Sequence, residues 1–133
     1  MTQQTAELVE AWIGKATNDI VSARQILILT DAPTDTVCFH VQQAVEKSLK
    51  ALLTFHSVSF PKTHSLLRLL EFTLPFLPQF DGFRNQLAEL SAYGVEFRYP
   101  GGLPDPTREQ AEEALKVAQE VMEIVCSHIK NLG

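Results

Sequence analysis

The stretch "FHVQQAVEKSLKALL", Phe39 to Leu53, decides how the chain is read. On a wheel of 100° per residue, Cys38, Val41, Val45, Leu49 and Leu52 form one apolar stripe, the mark of a helix that packs lengthwise against a core. The opposite side carries His40, Gln43, Lys47, Lys50 and Thr54, with Glu46 on its flank in reach of Lys50 at i+4. Phe39 shares the azimuth of Gln43, Glu46 and Lys50, which a purely solvated face does not call for. The polar row is therefore either a soluble face with one ion pair or one wall of a polar site.

Helical patterns extend outward on both sides. From Ala6 to Leu29 the residues Val9, Trp12, Ile13, Ala16, Ile20, Ala23 and Leu27 recur at steps of three and four. Pro33 stops that helix, and Thr34 or Asp35 is expected to accept bonds from the free amides of the next, which runs to Phe55 or His56. Thr63 is the expected N-cap of a shorter helix, "HSLLRLLEFTL", begun by His64. "PFLPQFDG" reads as a turn-rich loop anchored by its phenylalanines. A fourth helix from Phe83 carries Leu87, Leu90 and Val95, and "RYPGGLPDP" forbids regular structure. The last helix begins near Asp105 or Thr107 with a seam of Ala111, Leu115, Ala118, Met122, Val125, Ile129 and Leu132. No stretch alternates with period two. The expected fold is all-α: an antiparallel up-and-down four-helix bundle with one additional short helix, a single domain over residues 1–133.

Composition narrows the function classes. The chain is 45% hydrophobic and 20% charged, which fits a soluble globular domain. Its net charge of −5 argues against broad nonspecific DNA binding, a mode that rests on many phosphate-neutralising cations. Cys38 and Cys126 lack CxxC spacing and read as structural thiols of a reducing cytosol. The N-terminus has no secretory pattern and no segment is apolar for the roughly 20 residues that a bilayer requires, so a cytoplasmic protein away from membranes is expected. The four histidines have no ligand spacing and no phosphate-loop, GxSxG or HExxH motif is present; no metal, cofactor or catalytic residue is assigned.

Three further features turn the polar row toward a site. Asp19 sits at the edge of the first helix's apolar stripe, near Trp12 and Ala16, where a carboxylate needs a partner. His64 follows Lys62 and Thr63 at an expected helix start, where amides can receive an anion. Arg98 and Tyr99 precede Pro100 at the mouth of the long loop.

In order along the chain, Ala16-x-x-Asp19, "FHVQQAVEKSLKALL", "FPKTHSLLRLL" and "RYP" resemble the HEPN domain family, the higher-eukaryote and prokaryote nucleotide-binding helical bundles, over nearly the whole chain. The resemblance implies a bundle that dimerises, a small nucleotidyltransferase as partner in a toxin-antitoxin-type system, and a nucleotide or RNA as ligand. The family's ribonucleases carry Arg, four to six residues, then His. Arg98 is followed by "YPGGLPD", and Arg24, Arg68, Arg84 and Arg108 lack a correctly spaced histidine, so a binding subunit is expected rather than a ribonuclease, with a HEPN ribonuclease toxin of degenerate motif as the further alternative. Two arrangements fit the residues. In one, Lys47, Lys50 and Arg98 hold phosphate, Asp19, Gln43, Glu46 and His64 orient it, and Tyr99 or Phe39 stacks on a base. In the other, Asp19 pairs with Lys47 or Arg98 and fixes the helix register inside a dimeric interaction protein.

Overall fold

The computed structural model describes residues 1–93 and 104–133, and over these the chain is all-helical. The expected ends of the fourth helix at Gly94 and Val95, and Arg98 and Tyr99 with them, lie outside the described residues. Helix α1 spans Gln3–Ile26, α2 Thr34–Phe55, α3 Leu66–Thr73, α4 Arg84–Ser91 and α5 Arg108–Leu132. α1 starts three residues before the apolar pattern, because the Thr2 hydroxyl accepts the Thr5 amide at 3.0 Å and caps it. Its C-terminal carbonyls are satisfied from a distance: the Arg108 guanidinium donates to the carbonyl oxygens of Leu27 and Leu29.

At the start of α2 the cap sits on Pro33, without a side-chain bond. Asp35 does accept an amide, that of Thr36, at 2.8 Å, but the Thr34 hydroxyl donates instead to the Pro106 carbonyl at 2.6 Å and ties α2 to the approach of α5. α2 closes through Ser57, whose φ of 55° lets the Val58 amide turn back to the Leu53 carbonyl at 2.9 Å. The segment after it runs back along α2 before α3 begins. The cap of α3 is Ser65, not Thr63, whose hydroxyl accepts the Ser65 amide; His64 thus precedes the helix and does not open it. "PFLPQFDG" runs into a 3₁₀ segment, Pro78–Phe83, with a proline at its first position, and Phe80 is its buried anchor. α5 carries a full capping box, Thr107 with Gln110. The expected seam packs against the core from Ala111 to Ile129, with Met122 and Ile129 half-buried, and ends before Leu132, which is exposed.

Contacts fix the directions. α5 starts beside the start of α2, at Thr34 and Pro106, and ends beside its end, where His56 meets His128. α3 and α4 are antiparallel, since Leu66 meets Ser91 and Glu71 meets Arg84. α1, α2, α4 and α5 alternate in direction around one core, and α3, eight residues long like α4, is the additional helix. α2 lies at the centre: 13 of its 22 residues are buried, more than a single apolar stripe can supply. Its polar flank is consequently inside the protein, which sets the problem the site solves.

Candidate functional site

The buried polar residues of α2 are Gln42, Glu46, Ser48 and Lys50, and α1 adds Asp19. Ser48 is satisfied locally by the Ala44 carbonyl at 2.8 Å. The others need partners from elsewhere, and two groupings provide them. In the first, the Asp19 carboxylate on α1 receives Lys47 Nζ on Oδ2 at 2.6 Å and His40 Nδ1 on Oδ1 at 2.9 Å. In the second, Glu46 receives Lys50 Nζ on Oε2 at 3.0 Å and His64 Nδ1 on Oε1 at 3.0 Å. Each carboxylate thus spends one oxygen on a lysine and the other on an imidazole.

Gln42 joins the second grouping to the chain that returns from α2. Its amide nitrogen donates to Glu46 Oε1 at 3.3 Å and to the His64 carbonyl at 3.2 Å, while its oxygen accepts from Gln43 at 2.7 Å. The ammonium of Lys50 also lies 5.5 Å from the centre of the Trp12 ring on α1, a cation over an aromatic face that helps a buried lysine keep its charge. Among the described residues no buried side-chain nitrogen or oxygen is left without a partner, as the cost of burying polar groups requires.

Of the residues singled out from sequence, the structure gathers Asp19, Gln43, Glu46, Lys47, Lys50 and His64 on one face of α2 with its neighbours α1 and the approach to α3. Arg98 and Tyr99 fall outside the described residues. The expectation that α3 offers free amides at His64 is corrected: the first helical residue is Leu66, and its amide donates to Ser91 Oγ at 3.3 Å. The picture of Glu46 and Lys50 as an exposed pair is corrected as well, since their side chains are 4% and 10% exposed.

Three members escape a reading of the sequence as site residues. His40 falls on the polar side, but nothing in the pattern gives it a role. Gln42 lies seven residues before Leu49, hence on the edge of the apolar stripe, and that position is the available signal. Trp12 lies seven residues before Asp19 on α1 and shares its edge in the same way. Elsewhere, a cleft of about 540 Å³ opens between α4, α5 and Cys38, but Glu89, Glu109 and Glu113 line it and oppose an anion. No group of three or more His, Cys, Asp or Glu side chains is placed to hold a metal among the described residues.

A family model, the HEPN domain, matches residues 9–130. The chain belongs to the HEPN domain family. This HEPN chain is 30% identical over 134 residues to "Putative toxin MJ1304" of Methanocaldococcus jannaschii, with 90% of this chain and 86% of that one covered. Two crystal structures are similar to it at 28% identity: ST0689, an archaeal HEPN homologue, with a TM-score of 0.72 over 91% of this chain and 97% of the other, and TT1696 from Thermus thermophilus, with a TM-score of 0.73 over 90% and 97%. As a HEPN domain, the molecule devotes the polar flank of its central helix to two carboxylate-centred groupings, and no described helix is long and apolar enough to cross a membrane.

Proposed function

We propose that this HEPN chain is the toxin-like member of a two-component system, a cytoplasmic homodimer that binds a nucleotide or RNA at the α1–α2 face and pairs with a small nucleotidyltransferase. The relationship to a protein named as a toxin supports the first part. The ligand reading is carried by one observation: two lysines and two imidazoles sit side by side on one face, each lysine paired with an imidazole through a buried carboxylate. Phosphate is the ligand chemistry for which such donors are suited.

A second reading has its own support. The 2.6 Å contact of Asp19 with Lys47 is the register-fixing ion pair expected of an internal network, in a dimeric interaction protein without a ligand. Thermal shift against nucleoside mono-, di- and triphosphates and a short RNA separates the two. Ligand at about 100 times its dissociation constant adds about 2.7 kcal/mol of stability. A rise in melting temperature with any of these supports the ligand reading; a flat response across the panel, with Lys47→Met simply less stable, establishes the network alone. Copurification with a nucleotidyltransferase and light scattering at dimer mass test the partner and the assembly. Arg98 has no histidine at ribonuclease spacing, so RNA is expected to be recovered intact after incubation.

A further inference from the structure

The two carboxylates of the α1–α2 face are used in the same way, and the pattern determines which groups are left for a ligand. Lys47 and Lys50 each have a carboxylate oxygen at contact distance, 2.6 and 3.0 Å, so their charges are already answered within the protein. The imidazoles are engaged at one nitrogen only. A carboxylate against Nδ1 fixes the tautomer: Nδ1 carries the hydrogen and donates, and Nε2 is a bare acceptor until the ring gains a second proton. Neither Nε2 has a hydrogen-bond partner among the described residues. The His64 side chain is 69% exposed. The His40 side chain is 27% exposed.

Charge then selects the ligand. Among the described residues, the two carboxylates and the two ammonium groups bonded to them sum to zero while the rings are neutral, in a chain whose net charge is −5. A free polyphosphate brought to this face would remain largely uncompensated. A phosphodiester carries one negative charge, which one imidazolium balances. Among the described residues, the charged groups facing His40 are Asp19 of α1 and, through it, Lys47; those facing His64 are Glu46 of α2 and, through it, Lys50, with Lys62 two residues away along its own segment.

We propose that His40 and His64, rather than Lys47 and Lys50, are the groups of this face that contact phosphate, that they do so through Nε2 as imidazolium, and that the ligand is a singly charged phosphodiester. Binding therefore takes up one proton for each ring engaged. The proposal rests on the phosphate-ligand reading given above and narrows it.

Calorimetry on the whole chain with the trinucleotide ApApA, lacking terminal phosphates, tests it. That probe keeps a constant charge from about pH 8 to about pH 5.5, the interval over which histidine changes its own. Affinity is expected to rise as pH falls, by up to about tenfold per pH unit for each engaged ring, with proton uptake seen as a dependence of the heat on buffer ionisation. His40→Asn and His64→Asn leave an amide nitrogen near the place of Nδ1, able to donate to the carboxylate, and remove the outer nitrogen; both are expected to melt near wild type and to lose the proton-linked binding. If an Asn variant melts lower, proton uptake by the wild type decides. Binding of ApApA that ignores pH, or binding of ADP with ApApA ignored, overturns this inference and leaves the phosphate reading standing. No binding of ApApA or ADP at any pH removes that reading and the inference together.

Discussion

Asp19 and Lys47, 28 residues apart in sequence, bring carboxylate and ammonium to 2.6 Å across the α1–α2 seam, with His40 on the second carboxylate oxygen at 2.9 Å. The carboxylate side chain is 12% exposed and the lysine 22%, so water screens the pair only in part. Lys47→Met leaves Asp19 answered by His40 alone. Breaking a fully buried pair costs about 3–5 kcal/mol, and partial exposure reduces this to about 1–3 kcal/mol here. Urea denaturation at neutral pH reads the loss; a variant as stable as wild type would show that the contact does not hold the two helices.

Glu46 is placed more deeply, 4% exposed at its side chain, and it receives Lys50, His64 and Gln42. Glu46→Leu therefore strands the Lys50 ammonium beneath Trp12 and is expected to cost about 3–5 kcal/mol. Replacing both partners, Glu46→Leu with Lys50→Met, removes the stranded charge and should recover much of that loss. A double-mutant cycle in urea measures the coupling. Additive losses would mean that the two side chains are independent despite their 3.0 Å contact.

The helices were legible because apolar spacing and prolines agree over α1, α2 and α5, and at α5 the expected Thr107 is the cap. What sequence withheld was the position of α2 in the fold. A wheel shows which side is apolar but not how many neighbours surround the helix, so Glu46 and Lys50 could equally have faced water. The segment that returns from Ser57 along α2, and brings His64 to Glu46 over 18 residues, follows from the left-handed turn at Ser57 and from the grip of Gln42 on the His64 carbonyl. Neither leaves a periodic trace. The cap of α3 shifted from Thr63 to Ser65 for a comparable reason: both hydroxyls accept an amide, and only the geometry tells which one starts the helix.

The two thiols are free, and both are held protonated. Burial chiefly, with the Asp35 carboxylate adding to it, pushes Cys38 up to about 11, and burial raises Cys126. The thiolate is the reacting species, so neither is expected to react promptly with a disulfide reagent near pH 7.5. Both should react at the rate of a free thiol once the protein is unfolded in guanidinium. Fast labelling of the native protein at Cys38 would mean that the start of α2 opens far more readily than its buried side chain implies.

At the far end of the bundle His56 and His128 share a hydrogen bond between their Nε2 atoms, 2.8 Å long, with the Phe76 ring stacked on His56 at 3.9 Å. One ring must donate and the other accept, so the bond exists only while at least one is neutral. Burial first, and then the neighbouring His128, lower the pKa of His56 from its ordinary value. A histidine whose folded-state pKa lies below its unfolded one adds stability that is present above the unfolded value of about 6.5 and is lost as pH falls through that value toward the folded one. Acidification thus loosens the junction between the ends of α2 and α5. Many carboxylates also respond to acid, so the comparison that isolates the pair is with His128→Gln, which cannot charge. Between about pH 7.5 and about pH 5 the melting temperature of the wild type is expected to fall further than that of the variant, in the range where histidine titrates. Parallel curves would mean that the two imidazoles do not share a proton in solution, and that the end of α5 is held by its contacts with Phe55 and the core instead.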